Sequence, residues 1–122
     1  MTNADVVTQL WALFEARDWS AARELFHDDF VAHWPHTGET FRGRDNFLAA
    51  NSHYPEGWSI RLLRVVAAGD RVVSEVEVPH GEKTFCAASF FELRAGKLLR
   101  LTEYWVEADA EKPPAWRVPF GT

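Results

Sequence analysis

The sequence predicts an α+β domain in which helices come first and an antiparallel sheet follows. Apolar residues near the start of the chain recur at helical spacing, and four extended runs fill most of the second half. The runs are joined by two-residue turn signals, which make neighbouring strands antiparallel. Helices that are segregated from such a sheet cover one of its faces. At this length residues 1–122 are expected to form one domain.

The first half of the chain is predicted to be mainly helical. Asn3 can cap a first helix that ends near Arg17. The apolar face of this helix consists of Val7, Leu10, Trp11 and Phe14. A short second helix follows, and its apolar stripe consists of Trp19, Ala22, Leu25 and Phe26. Residues 30–35 then predict a strand ended by proline, and residues 45–52 predict a third helix stopped by Pro55.

The second half predicts a β-meander of runs at about 58–68, 71–79, 83–94 and 97–107. The turn signals between them are Gly69-Asp70, His80-Gly81 and Ala95-Gly96. Both faces of several runs carry large apolar side chains, so the face away from the helices is expected to meet protein, most simply in a homodimer. The final segment contains Pro113-Pro114 and cannot continue as regular structure, yet Trp116 and Phe120 suggest that it packs on something.

Composition excludes several classes of protein. With 47% hydrophobic, 25% charged and 14% aromatic residues, the chain is neither disordered, collagen-like nor a coiled coil. A net charge of −5 with scattered basic residues argues against a nucleic-acid partner. The start lacks the pattern of an export signal, and no apolar run approaches the roughly 20 residues that cross a bilayer. A cytoplasmic protein without membrane contact is expected.

The sequence offers little for a metal or a cofactor. Cys86 is the only cysteine, so neither an internal disulfide nor a multi-cysteine metal site is expected. His33 and His36 are three residues apart, but Pro35 stands between them and no zinc-ligand spacing is present. No phosphate-binding glycine pattern and no Ser or Cys nucleophile motif is visible. We therefore predict no metal and no cofactor.

Four segments resemble the nuclear transport factor 2-like, SnoaL-like domain family. They are LWALFEARDW, ELFHDDFVAHWP, FRGRDNF and FFELRAGKLLRLTEYWVE, and their order, spacing and turn positions agree with the family over nearly the whole chain. The resemblance implies a cone-shaped fold, in which a strongly curved, mostly antiparallel sheet wraps around the N-terminal helices. It also implies a pocket in the mouth of the cone and dimers formed through the sheet.

The segment LTEYWVE, residues 101–107, contains the main candidate for chemistry. In a strand Leu101, Glu103 and Trp105 point to the same side. That side either faces solvent, in which case the apolar pair is incidental, or it lines an apolar cavity. The apolar neighbours of Glu103 favour the cavity. A carboxyl group there would have its pKa raised by desolvation, as a general acid or base near neutrality requires.

In enzymes of the family, pocket groups come from the first strand, the middle of the meander and the last strand. The resemblance thus implies His33, Glu75, Glu77 and Glu103 as pocket groups, with Glu103, Glu75 and His33 as the acid/base set. Alternatives remain open: Glu75 and Glu77 can face solvent beside an ordinary core strand, and His33 can make a structural hydrogen bond. The predicted apolar walls are Trp11, Phe14, Trp34, Phe91 and Trp105.

Two functions are compatible with these residues. One is a protein that binds a small hydrophobic molecule and acts on it as a cofactor-independent isomerase, dehydratase or cyclase, with an apolar carbonyl compound as substrate. The other is a non-catalytic dimeric module whose pocket stores a ligand or is filled by side chains. The sequence lacks the central Arg of the family's limonene epoxide hydrolase type and the Tyr and Asp of its ketosteroid isomerase type. A cavity of about 300 Å³ or more with converging carboxylates would favour chemistry.

Overall fold

The computed structural model describes residues 1–122. The helices are α1 (Asn3–Glu15), α2 (Trp19–Arg23) and α3 (Arg44–Ser52), and a 3-10 helix spans Ala115–Phe120. The strands are β1 (Phe26–Trp34), β2 (Glu39–Arg42), β3 (Arg61–Ala68), β4 (Arg71–His80), β5 (Lys83–Arg94) and β6 (Lys97–Glu107). The predicted α+β class and the predicted meander are confirmed.

The six strands form one sheet in the order β2-β1-β6-β5-β4-β3. The meander pairs β3 to β6 as antiparallel neighbours, and β1 lies parallel to β6 at the side of β6 away from β5. The strand β2, which pairs antiparallel with β1, was not predicted because its four residues lie inside a glycine-containing loop.

Several local boundaries differ from the predictions, and two of these differences have a clear physical cause. The cap of α1 is Thr2 rather than Asn3: the Thr2 hydroxyl accepts from the Asp5 amide while the Asp5 carboxylate accepts from the Thr2 amide. The short second helix ends at Arg23, and Phe26, predicted to be helical, is the first residue of β1. The benzyl group of Phe26 packs edge to face on Phe30 within the core, which overrides its weak helical pattern.

The core lies between the helices and one face of the sheet, here called the inner face. From α1, the buried side chains are Val6, Val7, Leu10, Trp11 and Phe14. From β4, every second residue is buried, namely Val72, Ser74, Val76 and Val78. The opposite, outer face leaves large apolar side chains exposed at Leu63, Val66, Val73, Phe90, Tyr104 and Val106. None of the helices combines the length and the apolar character that spanning a bilayer needs.

Candidate functional site

A cavity of about 330 Å³ opens between the inner face of the sheet and the helices. Ten of its twelve lining residues are hydrophobic. The lining consists of Trp11, Phe14, Trp34, His36, Ala50, Asn51, Tyr54, Trp58, Ile60, Val78, Phe85 and Trp105. Four of the predicted wall residues, Trp11, Phe14, Trp34 and Trp105, are in this set. The volume lies above the lower limit of about 300 Å³ for ligand pockets.

Glu103 lies beneath this wall, with only 1% of its surface exposed. Its Oε1 accepts hydrogen bonds from the indole Nε1 of Trp34 at 3.0 Å and of Trp105 at 2.8 Å. The Ser89 hydroxyl donates to its Oε2 at 2.5 Å. Glu103 therefore faces away from solvent, but the expectation that it lines the cavity is not met. The carboxyl group does not line the cavity itself, because the two indoles that it holds stand between it and the open space.

Burial raises the pKa of Glu103 above its ordinary value, and the hydrogen bonds from Ser89, Trp105 and Trp34 act in the opposite direction. All three hydrogen-bond partners are neutral, and no salt bridge reaches this carboxyl group. Desolvation is thus not offset by a cation, which leaves burial as the largest influence on the pKa of Glu103. Such a group can hold and release a proton closer to neutrality than an exposed glutamate.

The Glu103→Gln variant should lose part of the pH dependence of stability. The pKa of Glu103 is higher in the folded protein than in the unfolded chain, so the carboxyl group contributes its full stability when the pH is below its ordinary pKa of 4.5. That contribution is lost as the pH rises through the raised pKa. Glutamine is neutral at every pH and has no such loss. Urea unfolding at about pH 5 and about pH 8 should show wild type losing stability relative to the variant. Equal changes in the two proteins would contradict the shift.

A row of buried polar groups continues from Glu103 across the sheet. Ser89 on β5 lies opposite Glu103 on β6 and opposite Ser74 on β4, and both serines are fully buried. The indole Nε1 of Trp11 donates to the Ser74 hydroxyl at 3.0 Å. Neither serine was predicted, although both occupy inward positions of strands whose other inward residues are apolar. That interruption of the pattern was the available signal.

Glu75 and Glu77 are a correction to the predicted site. Both lie on the outer face of β4, because Ser74, Val76 and Val78 take the inward positions of this strand. Glu75 pairs there with Arg64 at 2.7 Å, and Glu77 pairs with Arg61. The prediction that these carboxylates converge with Glu103 is wrong, and the solvent-facing alternative describes their placement.

His33 and Phe91 also lie outside the cavity. The Nδ1 atom of His33 contacts the Glu39 carbonyl oxygen at 2.9 Å and the Thr40 hydroxyl at 3.1 Å, across the β1–β2 pair. This is the structural hydrogen bond that the sequence left open as an alternative. Phe91 is buried in the hydrophobic core and is not part of the cavity wall. The histidine that does line the cavity is His36, just beyond β1.

The loop of residues 54–60 closes one side of the cavity with Tyr54, Trp58 and Ile60. Arg17, at the end of α1, holds this loop: its guanidinium lies 3.3 Å from the centre of the Trp58 ring. The same group donates to the Trp58 carbonyl oxygen at 2.6 Å and to the Glu56 carboxylate at 2.9 Å. The single side chain of Arg17 therefore holds this loop through both cation–π stacking and charge-assisted hydrogen bonds.

A second anchor holds the same loop to the end of β4. The Tyr54 hydroxyl and the Nδ1 atom of His80 are 2.7 Å apart, and the Nε2 atom of His80 lies 3.1 Å from the Glu56 carbonyl oxygen. The amide of Ile60 donates to the Glu15 carboxylate at 2.8 Å. This wall was not predicted, because its position depends on contacts between residues far apart in the sequence.

No group of three or more His, Cys, Asp and Glu side chains is arranged to hold a metal ion. The groups that are present are the aromatic wall and the enclosed carboxyl group of Glu103. Two polar side chains, His36 and Asn51, complete the lining. Asn51 uses its amide group to donate to the Phe47 carbonyl oxygen at 2.8 Å.

Comparison with known proteins gives a family and a fold. The family model described as SnoaL-like domain matches residues 7–101. A proposed ketosteroid isomerase from Kribbella flavida superposes with a TM-score of 0.90 at 24% identity, over 98% of this chain and 87% of that chain. An NTF-2 like protein of unknown function from Burkholderia xenovorans gives a TM-score of 0.82 at 25% identity, over 98% and 93% of the two chains.

A further structure with this fold is the LEH-like epoxide hydrolase of M. tuberculosis, at a TM-score of 0.72 and 17% identity, over 85% of this chain and 82% of that chain. Among curated proteins, none matches the sequence. At these identities the superpositions show a common fold. The chemistry of this chain has to be argued from its own residues, because one fold hosts many functions.

Proposed function

This chain belongs to the SnoaL-like domain family, and from that premise we propose that it binds a small, largely apolar molecule in the aromatic cavity. The observation that carries the proposal is the cavity of about 330 Å³ in which ten of twelve lining residues are hydrophobic. A wall of this kind favours burial of an apolar body over binding of a charged one.

The few polar groups of the wall limit the ligand further. The indole N–H groups of Trp34 and Trp105 are already used by Glu103, and that of Trp11 is used by Ser74. Neither ring nitrogen of His36 makes a hydrogen bond within the chain. A ligand with one or two polar atoms, such as a carbonyl or hydroxyl group near His36, therefore fits better than one with many.

Filling the cavity should weaken binding. The Ala50→Phe variant adds a benzyl group to the wall, and we expect at least about a tenfold loss of affinity because the added side chain occupies the ligand volume. Fluorescence titration with N-phenyl-1-naphthylamine, a compact, uncharged and apolar probe, measures this loss.

The matched control is Ala49→Phe, since Ala49 is the preceding residue of α3 and does not line the cavity. Its affinity for the probe should stay within about twofold of wild type. If both variants bind like wild type, or if wild type does not bind, the proposed cavity function is wrong.

Acid/base catalysis is a second candidate, favoured by the raised pKa of Glu103 and its hydrogen bonds to two indoles of the wall. A proton transfer beside a ligand carbonyl group would need one indole to move aside, because these rings separate the carboxyl group from the cavity. Glu75 and His33 are not part of this candidate mechanism, since both lie on the outer face.

The test is isomerisation of small β,γ-unsaturated ketones, followed by the ultraviolet absorbance of the conjugated product. Turnover by wild type that falls by about a hundredfold or more in Glu103→Gln would support a proton-transfer role. The amide can accept the indole hydrogen bonds but cannot exchange a proton in the same way. Turnover that survives this substitution would exclude Glu103 as the acid/base group.

A further inference from the structure

Four tryptophans line the cavity, and the indole N–H groups of three of them are already used inside the chain. Those of Trp11, Trp34 and Trp105 donate to side-chain acceptors on the sheet. The fourth differs, because the Nε1 atom of Trp58 is buried and makes no hydrogen bond. Only 9% of the surface of Trp58 is exposed, so bulk solvent does not replace the missing partner.

An unpartnered donor of this kind destabilises the folded chain. The N–H group gives up its hydrogen bond to water on folding and gains none in return. Native proteins keep few such groups. A phenylalanine at position 58 would supply an aromatic wall without this cost. The N–H group of Trp58 is therefore best explained by an acceptor that is not part of the chain.

Trp58 is held in the wall by contacts that leave its N–H group unused. The Arg17 guanidinium covers the ring at 3.3 Å from its centre and also donates to the Trp58 carbonyl oxygen. The Trp58 backbone forms an isolated bridge with His80, at the end of β4. The preceding Gly57 has a φ of +113°, and a Cβ atom there would lie 3.2 Å from the His80 ring. Backbone and ring face are thus fixed by protein contacts, and the N–H edge is not.

The chemistry of the wall limits what can satisfy this donor. An indole N–H group can only donate, so its partner has to be an acceptor. Ten of the twelve lining residues are hydrophobic, and neither Lys nor Arg is among them. Burial of a carboxylate or phosphate without a cation costs far more than burial of a neutral oxygen. The carbonyl oxygen of a ketone or an ester meets both conditions.

We propose that Trp58 is a specificity-determining residue of the cavity, whose indole N–H group donates a hydrogen bond to the carbonyl oxygen of a neutral, largely apolar ligand. This inference rests on the proposed function and adds the atom that selects the polar group of the ligand. The nitrogen is covered by neighbouring atoms, so the contact requires a small rotation of the ring, as side chains commonly make on binding. Trp58 then takes the carbonyl oxygen, and His36 is left for a second polar atom.

The Trp58→Phe variant tests this assignment, because phenylalanine keeps an apolar ring beside Arg17 and removes the N–H group. The two ligands are benzophenone and diphenylmethane, which have similar shapes and differ in the carbonyl group. Displacement of N-phenyl-1-naphthylamine measures both affinities. The affinity for benzophenone relative to diphenylmethane should fall at least about fivefold in the variant, because one hydrogen bond is lost. A ratio that stays unchanged would overturn the assignment.

The matched control makes the same substitution at Trp116, which leaves 73% of its surface exposed in the final 3-10 helix and does not line the cavity. The expectation that Trp116 packs on the domain is thus not met. Trp116→Phe should keep the affinity ratio of wild type, and an equal fall in both variants would overturn a specific role for Trp58. If wild type binds none of the three compounds, the proposed cavity function itself is wrong.

The carbonyl stretch of bound benzophenone gives a measurement on wild type that does not depend on the folding of a variant. Isotope-edited infrared spectra should place this band at a lower wavenumber in the complex than in hexane, because a hydrogen bond weakens the C=O bond. The Trp58→Phe complex should lose the shift. A bound carbonyl group that vibrates as in hexane, or a shift that persists without the indole, would overturn the proposal and leave the cavity function intact.

Discussion

Replacing Glu103 with alanine is expected to lower the free energy of unfolding by about 3–5 kcal/mol. The substitution leaves three donors without their acceptor, namely the indoles of Trp34 and Trp105 and the hydroxyl of Ser89. Each unsatisfied buried donor costs about 1–3 kcal/mol, and the lost side chain leaves a void beside them. Against a typical total stability of about 5–15 kcal/mol, this is a large share. Urea unfolding measures it.

The matched control is Glu75→Ala, which removes the same side chain from the outer face of the sheet. Its partner Arg64 is exposed, so the ion pair contributes about 1 kcal/mol or less. Glu103→Gln should lie close to wild type in stability at acidic pH, because the amide oxygen can accept both indole hydrogen bonds. If Glu103→Ala costs no more than Glu75→Ala, the buried carboxyl does not hold the wall.

Arg17→Ala is expected to release the 54–60 loop and to weaken binding of the apolar probe by about tenfold or more, with a loss of about 2 kcal/mol in unfolding free energy. The side chain stacks on Trp58 and donates to the Trp58 carbonyl oxygen and to Glu56. Without it, one wall of the cavity loses its anchor on α1. Fluorescence titration and urea unfolding of the same preparations measure the two effects.

Arg23→Ala is the control for this substitution. Arg23 pairs with Asp45 at 2.8 Å in a similar charge-assisted contact, but neither residue lines the cavity. Because this ion pair is exposed and screened by solvent, the variant should keep both the free energy of unfolding and the probe binding close to those of wild type. A comparable loss of binding in both variants would point to general destabilisation and would contradict a specific role for Arg17.

The sequence was informative about the fold because the apolar residues of its helices and the turn signals between its strands recur at regular spacings. Helical spacing identified α1, and turn signals at regular intervals identified the meander from β3 to β6. The shortest strand, β2, was missed because four residues within a glycine-containing loop carry no readable period. Phe26 was assigned to a helix because its tertiary contact with Phe30, rather than its local pattern, decides its conformation.

The site was only partly predictable, for a reason of geometry. Alternation separates two faces of a strand but does not say which one is inside, so Glu75 and Glu77 on β4 could not be distinguished from inward groups. Glu103 could be assigned to the inner face, because the other residues on its side of β6 are apolar. The wall formed by Tyr54 and Trp58 depends on Arg17 and His80, whose contacts span 24 or more residues and have no local signature.

The parallel pairing of β1 with β6 has a consequence for how the molecule assembles. The hairpins of the meander close over short turns, whereas Ala32 must find Leu101 across an intervening stretch of chain that includes every other strand. Loop closure over such a separation is entropically unfavourable and slows the search. We therefore expect the meander to form early and the first strand to join late, so that Trp34 reaches its carboxyl partner in the final step of folding.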